Sequence, residues 1–411
     1  MFSSKKLIYI FSICFSAIVI VAFLAFKGQK DANHSTSSIS VGDLLQRGEK
    51  IQMGKEWDEV QNQYASYKNA IKNDVDDNKS KILLAQLYIK EARVTGEHGH
   101  YYPSALEVLD DAINNESIDD DLTFLAMTTK AGVQLSLHDF QDALTTGNQA
   151  ALLNPTNAQI HGVLIDANVE MGNYEKAIAL TDRMLTIKPD IRSYSRASYL
   201  REIHGDVKGA KQAMNMAVQA GFPGLEETAW AMLTLGEIYQ RYGALDTAKM
   251  IYESILETRP NYPFAVGAIG DVLMQQGKNQ LSEKELKKAM DIIPEVGFYI
   301  SLAHLYKKEN RVNEMNSLVQ EIKVMLKEDT DSGHNMNLEF ADLYLELLDD
   351  PRSALSYAQL EYDKRPKNID VNLMLAKIYD EIGDKDIAQT YLKQANVTNA
   401  KYPELLALNK I

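Results

Sequence analysis

The sequence is poor in the residues that support covalent or metal-based chemistry. Of its 411 residues only one is a cysteine, Cys14, and it lies in an apolar N-terminal run. This count excludes a disulfide framework, a cysteine zinc site and a cysteine nucleophile from the rest of the chain. Glycine and proline number 22 and 10, too few for a collagen-like or low-complexity chain. We therefore expect the bulk of the sequence to fold.

Positive charge is also scarce. The chain has 57 acidic and 43 basic residues, a net charge of −14. Residues 1–30 contain four lysines and no acid, so residues 31–411 have 39 basic groups (43 − 4) and a net charge of −18 (39 − 57). Nucleic-acid binders need clustered Lys and Arg, which argues against that class. No Gly-rich nucleotide loop, zinc-protease motif or serine-hydrolase motif occurs, and we expect neither enzyme activity nor a cofactor.

The one long apolar segment is at the N-terminus. Residues 7–26 (LIYIFSICFSAIVIVAFLAF) are uncharged, and as a helix they would reach about 30 Å, the hydrocarbon thickness of a bilayer. A cleavable signal peptide usually has a shorter apolar core and a small-x-small cleavage site, so a retained single-pass anchor is favoured over a cleaved signal. We expect a tail over 1–6, a membrane helix over 7–26 and a polar linker over 27–41. The charge balance places the body on the extracytoplasmic side, which is the periplasm in a bacterium.

The remainder of the sequence has one period. A small or apolar residue is followed by a second after twelve positions and a third after seven more, as in Ala131, Ala143 and Ala150. Successive second members lie 33 to 39 residues apart, and a proline commonly follows the third member after five residues. Apolar residues at i, i+3, i+4 and i+7, with a Gly or Asn between the halves of each unit, predict stacked antiparallel helix pairs. One unit departs by one position, because Ala341 and Ala354 are thirteen residues apart.

This unit resembles the tetratricopeptide repeat. The resemblance covers residues 46 to the C-terminus and implies an all-α fold, a right-handed α-solenoid of about ten helix pairs after the membrane helix. We expect two degenerate pairs over 42–115, eight repeats over 116–400 and a capping helix over 401–411. The unit that matches the family pattern closely contains Met232, Leu235, Gly236, Tyr239, Gly243, Ala248, Tyr252 and Pro260.

The resemblance also implies a function, because members of the family usually bind a protein partner in the concave groove. The family's groove-facing positions are acidic at the centre of this chain, with aromatic anchors beside them. Such a surface suits an extended or helical segment that carries apolar side chains and some positive charge. We therefore expect a membrane-tethered scaffold for protein–protein interaction or complex assembly. The candidate groove residues are Asp166, Tyr199, Trp230, Glu237, Arg241, Phe264, Asp271 and His304.

An expected inserted loop over residues 93–103 (RVTGEHGHYYP) leaves a second function open. Its side chains could bind a metal or a small ligand, and the chain would then be an envelope receptor. A zinc or copper site needs three or four convergent ligands, and no fourth is visible, so we assign no metal site. The simpler interpretation is a long turn whose tyrosines pack onto the helices. The loop candidates are Glu97, His98, His100, Tyr101 and Tyr102.

Overall fold

The computed structural model describes residues 41–409. The tail, membrane helix and linker expected over residues 1–40 lie outside the described residues. A short 3₁₀ turn, Glu49–Ile51, precedes twenty α-helices, and residues 41–409 contain no β-strand. The helices are α1 (Lys55–Asn73), α2 (Asn78–Thr95), α3 (His98–Ile113), α4 (Asp120–Ser136), α5 (Phe140–Leu153), α6 (Ala158–Glu170), α7 (Tyr174–Ile187), α8 (Ile191–Ile203), α9 (Val207–Ala220), α10 (Glu226–Arg241), α11 (Leu245–Thr258), α12 (Pro263–Gln275), α13 (Asn279–Ile292), α14 (Val296–Lys308), α15 (Val312–Asp331), α16 (Asn337–Asp342), α17 (Pro351–Lys364), α18 (Ile369–Ile382), α19 (Lys385–Ala395) and α20 (Pro403–Leu408).

From α2 to α19 the helices form nine complete pairs within the described residues, each with a first and a second helix. The expectation of about ten pairs is corrected at the N-terminus, where α1 has no helical partner because residues 41–48 are not helical. Side chains of the neighbouring helices satisfy the backbone of this segment instead. Tyr64 donates to the Gly42 carbonyl at 3.1 Å, and Tyr101 Oη accepts from the Leu45 N–H at 3.0 Å.

The repeated small residues lie where the two helices of a pair approach most closely. Gly236 of α10 faces Tyr252 of α11, and a Cβ atom at position 236 would clash with the tyrosine ring. The glycine between the two helices of a pair serves to end the first helix. Gly243 and Gly277, which lie at this position, have φ of 79° and 73°. This left-handed conformation favours glycine. The predicted helix-pair unit is therefore confirmed.

The unit with thirteen residues between its small positions contains a π-helical segment. Residues Leu343–Leu347 continue α16 in this form, and the Leu348 N–H donates to the Leu343 carbonyl at 3.2 Å, a step of five residues. A π turn accommodates one residue more than an α turn. The extra residue is absorbed there, so Ala341 and Ala354 both remain fully buried.

The array curves with its first helices on the inside. Successive first helices such as α4 and α6 contact each other, whereas successive second helices have no comparable contact among the described residues. The side on which neighbouring helices lie closer is the concave side of a curved layer. The exposed residues of the first helices therefore form the inner face of the superhelix.

The superhelix closes on itself, because one turn contacts the next. The Ile369 N–H donates to Tyr174 Oη at 2.8 Å, and the Asn335 N–H donates to the Leu137 carbonyl at 3.0 Å. Hydrogen-bonded residues of the two turns lie 193 to 211 positions apart, except for Lys50 and Asp291, which are 241 apart. One turn of the superhelix thus takes about 200 residues, between five and six repeats. We call this line of contacts the seam.

The seam joins two kinds of connection. In the first superhelical turn, the contacts come from the connections between the two helices of one pair. In the second superhelical turn, they come from the connections that follow a pair. Gly172 lies so close to Lys367 that a Cβ atom on the glycine would be 2.6 Å from the lysine carbonyl oxygen, and Gly205 lies equally close to the Asn399 carbonyl. Glycine is required at these two positions by both the close approach and a positive φ.

Candidate binding surface on the inner face

One face of α10 contributes three of the predicted groove residues. Trp230, Glu237 and Arg241 are separated by seven and four residues, so their side chains lie on the same side of the helix. Trp230 is 45% exposed, although it belongs to a helix whose other face is buried. An exposed tryptophan on a concave surface is a suitable anchor for a partner.

Phe264, the second aromatic anchor predicted from the sequence, is less exposed than Trp230. Its ring is partly buried between Tyr262 and Phe298, with ring centroids 5.5 and 5.9 Å away. The ring packs against the core where α12 meets α14. Tyr199 of α8 is 36% exposed and is the second aromatic residue available on the inner face.

Some of the charged candidates are neutralised within the chain. Asp166 accepts from Arg196, with Nε and Oδ1 2.9 Å apart. Arg241 forms an ion pair with Glu202, and its guanidinium lies 5.6 Å from the centre of the Tyr402 ring. These pairs fix side-chain positions on the inner face but leave little charge for a partner.

Several other carboxylates of the first helices have no ion-pair partner within residues 41–409, and we assign four of them to the inner face: Glu237, Asp271, Asp342 and Asp370. Burial, opposed by Ser301 and reinforced by the Glu237 charge, raises the pKa of Asp271 to about 6. Burial likewise raises the pKa of Asp342 to about 6, with the charge of Glu346 adding to the effect. Enclosure by the superhelix disfavours the charged forms, so the inner face is acidic and poorly neutralised.

His304 of α14 lies among these groups. Burial lowers its pKa, and Lys307 lowers it too, while Glu346 acts in the opposite direction. The imidazole is neutral at pH 7 as a result and adds no positive charge to the inner face.

The segment 93–103 is not the loop that was expected. Arg93–Thr95 end α2, and α3 begins at His98, so only Gly96 and Glu97 lie between the helices. Pro103 lies inside α3, and the helix continues past it to Ile113. The insertion therefore lengthens two helices rather than forming a loop.

The candidate ligands of this segment point to different neighbours. Tyr101 and Tyr102 are buried in the core, as the simpler interpretation required. His100 Nε2 lies 2.7 Å from the Asp43 carbonyl oxygen, whereas the His98 ring stacks on Tyr102 with centroids 5.3 Å apart. Glu97 precedes α3 and is exposed. The structure does not bring the two histidines and the glutamate together, and residues 41–409 hold no group of three metal-ligating side chains.

Two of the unpaired inner-face acids were missed in the sequence. Asp370 lies one helical turn before Leu373, which occupies one of the family's groove-facing positions. Asp342 belongs to the unit whose spacing slips by one, where the frame loses its register. Including residues one helical turn before the family's groove-facing positions would have found Asp370. Asp342 could be located only after the structure had shown the π-helical segment in its repeat.

Two stretches of the chain match family models for the tetratricopeptide repeat, residues 134–201 and residues 369–396. These two stretches are therefore identified as tetratricopeptide repeats. Both matched stretches contribute to the inner face, since they include α6, α8 and α18. Within residues 41–409, none of these tetratricopeptide helices or their neighbours combines the length and apolar character needed to cross a bilayer.

Among curated proteins, cellulose synthase operon protein C of Pseudomonas fluorescens is 24% identical over 145 residues. That match covers 33% of this chain and 11% of the relative, so the chain corresponds to a small part of the longer protein. A tetratricopeptide repeat protein from Parabacteroides merdae is 16% identical, with a TM-score of 0.43 over 61% of this chain and 97% of that one. A chain of the Cut9–Hcn1 hetero-tetramer of APC/C is 14% identical, with a TM-score of 0.48 over 87% and 66%.

Proposed function

We propose that this chain is a membrane-tethered scaffold on the extracytoplasmic side that binds a segment of a partner protein on the inner face of its superhelix. The partner segment carries basic side chains together with an apolar residue that packs on Trp230. The tether is the uncharged run over residues 7–26. The body is the tetratricopeptide array, which is a scaffold rather than a reaction centre.

The observation that supports the partner's chemistry is the set of four inner-face carboxylates without an ion-pair partner. Asp271, Asp342 and Asp370 are half-buried, whereas Glu237 is exposed. Desolvated carboxylates are costly unless a cation lies beside them. A lysine or arginine side chain brought in by a partner removes that cost, and complementary charge also selects the partner and speeds its association. Trp230 supplies apolar contact area close to Glu237, so both requirements meet on α10.

Site-specific photo-cross-linking in intact cells tests this proposal. A photoreactive phenylalanine analogue replaces Trp230, and the matched control carries it at Leu152, which is 84% exposed on the outward second helix α5. We expect a discrete adduct from position 230 and none from position 152. Mass spectrometry should place the adduct in a segment of the partner that contains Lys or Arg.

A second pair of variants measures the contribution of the anchor. Trp230→Ala should weaken capture of the identified partner roughly tenfold, the scale of a buried aromatic contact. Phe222→Ala, which removes an aromatic side chain exposed on the connection before α10, should leave capture unchanged. Equal adducts from positions 230 and 152, or a cross-linked segment without basic residues, would contradict the inner-face site. Adducts that leave the membrane fraction in high salt would contradict the tether.

A further inference from the structure

A cavity of about 190 Å³ lies on the seam between the two superhelical turns. One wall is formed by the connection after α4, the start of α5 and the end of α6. The opposite wall belongs to α16, α17 and the start of α18. Neither superhelical turn forms the cavity alone, so a molecule bound there contacts residues that are about 200 positions apart.

The cavity contains more negative charge than its own residues neutralise. Arg365 is its one guanidinium, and it forms ion pairs with both Glu170 and Glu361. Within residues 41–409, Asp370 has no ion-pair partner, and Glu339 places Oε1 3.8 Å from His138 Nδ1 while its Oε2 is buried without a hydrogen-bond partner. Four carboxylates therefore line the cavity against one guanidinium and one histidine, and an excess of negative charge remains.

The cavity also has an apolar lining. Phe140 and Leu338 line it together with the charged groups. The Arg365 guanidinium lies 4.6 Å from the centre of the Phe140 ring and 6% of the arginine is exposed, so this cation is fixed and cannot move to Glu339 or Asp370. A complementary ligand is therefore apolar along its length and cationic at its ends.

We propose that this cavity binds a small aliphatic diamine, with its ammonium groups on Asp370 and Glu339 and its methylene chain on Phe140 and Leu338. The ligand bridges the first superhelical turn and the second, and it stabilises the closed seam by mass action. This site shares Asp370 with the acids assigned to partner binding, but neither Trp230 nor Glu237 lines it, so loss of partner capture and loss of diamine binding can be told apart.

Protonation of Glu170 gives the binding a pH dependence. Burial, opposed by Arg365 and reinforced by the charges of Asp370 and Asp166, raises the pKa of Glu170 to about 7. A bound ammonium group favours the ionised carboxyl, so binding near pH 7 releases protons from Glu170 and affinity rises between pH 6 and 8. His138, Glu339 and Glu361 also face the cavity.

Isothermal titration calorimetry of the full chain with 1,5-diaminopentane tests the proposal. We expect one site, with pentylamine binding at least tenfold more weakly and pentane-1,5-diol not binding. At pH 7 the measured heat should vary with the ionisation enthalpy of the buffer, because protons are released. The diamine should also reduce the radius of gyration in solution scattering, since it holds the seam closed.

The variants Asp370→Asn and Glu339→Gln should each weaken diamine binding at least tenfold. Glu381→Gln is the matched control, because Glu381 is an exposed acid on the same helix as Asp370 and lies outside the cavity. Circular dichroism establishes that each variant is folded. Equal affinity for diamine and monoamine, unchanged affinity in both cavity variants, or equal loss in Glu381→Gln would overturn the site.

Discussion

At the scale of single residues, Asp271 illustrates how the inner face stores unfavourable charge. Its Oδ1 is buried and has no hydrogen-bond partner within residues 41–409. Its pKa in the folded chain is about 6, against 3.8 for an exposed aspartate. A raised pKa means that the folded chain binds the proton more tightly than the unfolded chain does. This carboxyl therefore favours folding below pH 4 and opposes it as the pH rises through 6.

The variant Asp271→Asn should be more stable than the parent at pH 8 by about 1–2 kcal/mol, because the amide cannot ionise. At pH 4 the difference should disappear, since the aspartate is then mostly protonated in the folded chain. Urea unfolding at the two pH values measures both. Asp182→Asn, at an exposed position on α7, should change neither value, and a gain of stability at pH 4 equal to that at pH 8 would refute the mechanism.

Single-residue environments were the part that sequence reasoning predicted least well. The acidic character of the groove could be predicted because Glu237 and Asp271 fall on the groove positions of the repeat frame. The burial of Phe264 could not, because it depends on Phe298 from the next repeat. Whether an acid of the groove forms an ion pair depends on its neighbours, as with Arg196 beside Asp166. The repeat pattern of the sequence does not specify these neighbours.

At the scale of elements, the spacing of small residues predicted the helix pairs well, including the place where the pattern slips. A twelve-residue step fixes where the second helix meets the first, so a thirteen-residue step requires a local change of helix geometry. The π segment Leu343–Leu347 is that change. The missing first helix opposite α1 was not predicted, because residues 41–48 are held by side chains of α1 to α3 rather than by a helical pattern of their own.

Deleting Glu346 tests whether the π segment absorbs one extra residue. The deletion reduces the step from Ala341 to Ala354 to twelve residues, and we expect the segment to become a regular α-helix with the chain still folding cooperatively. The comparison is deletion of Glu237, which shortens a regular helix and shifts every later residue of α10 out of register. The first variant should melt at a clearly higher temperature than the second. Equal losses of helicity at 222 nm would show that the π turn has no such role.

At the scale of the whole molecule, the seam is the feature that the sequence did not reveal. Its position is the sum of small rotations over five or six repeats, and no local pattern encodes that sum. The residues that form it look ordinary in the sequence. Gly172 has the positive φ expected of a turn glycine, and only the structure shows that Lys367 lies against it.

Two glycines with the same backbone conformation separate the effect of the seam from the effect of the connection in which each glycine lies. Gly172 and Gly277 both have φ of 73°, but only Gly172 has another part of the chain within contact distance of a new Cβ atom. Gly172→Ala and Gly277→Ala should share a backbone cost of about 1 kcal/mol. Gly172→Ala should in addition separate the superhelical turns and increase the radius of gyration in small-angle scattering. The same radius in both variants would show that the seam does not hold the superhelix closed.

The closed seam gives this array an unusual response to mechanical load. An open solenoid extends easily under force, whereas in this one the successive superhelical turns are held together by contacts. The adhesion is distributed along the seam, at Gly96 beside Glu295, His138 beside Asn335, Gly172 beside Lys367 and Gly205 beside Asn399. A force applied between residues 41 and 409 therefore opens these contacts one after another before any helix pair unfolds. We expect extension to begin with the loss of the seam contacts, each at a small force. The array of helix pairs stretches elastically only after these contacts are lost.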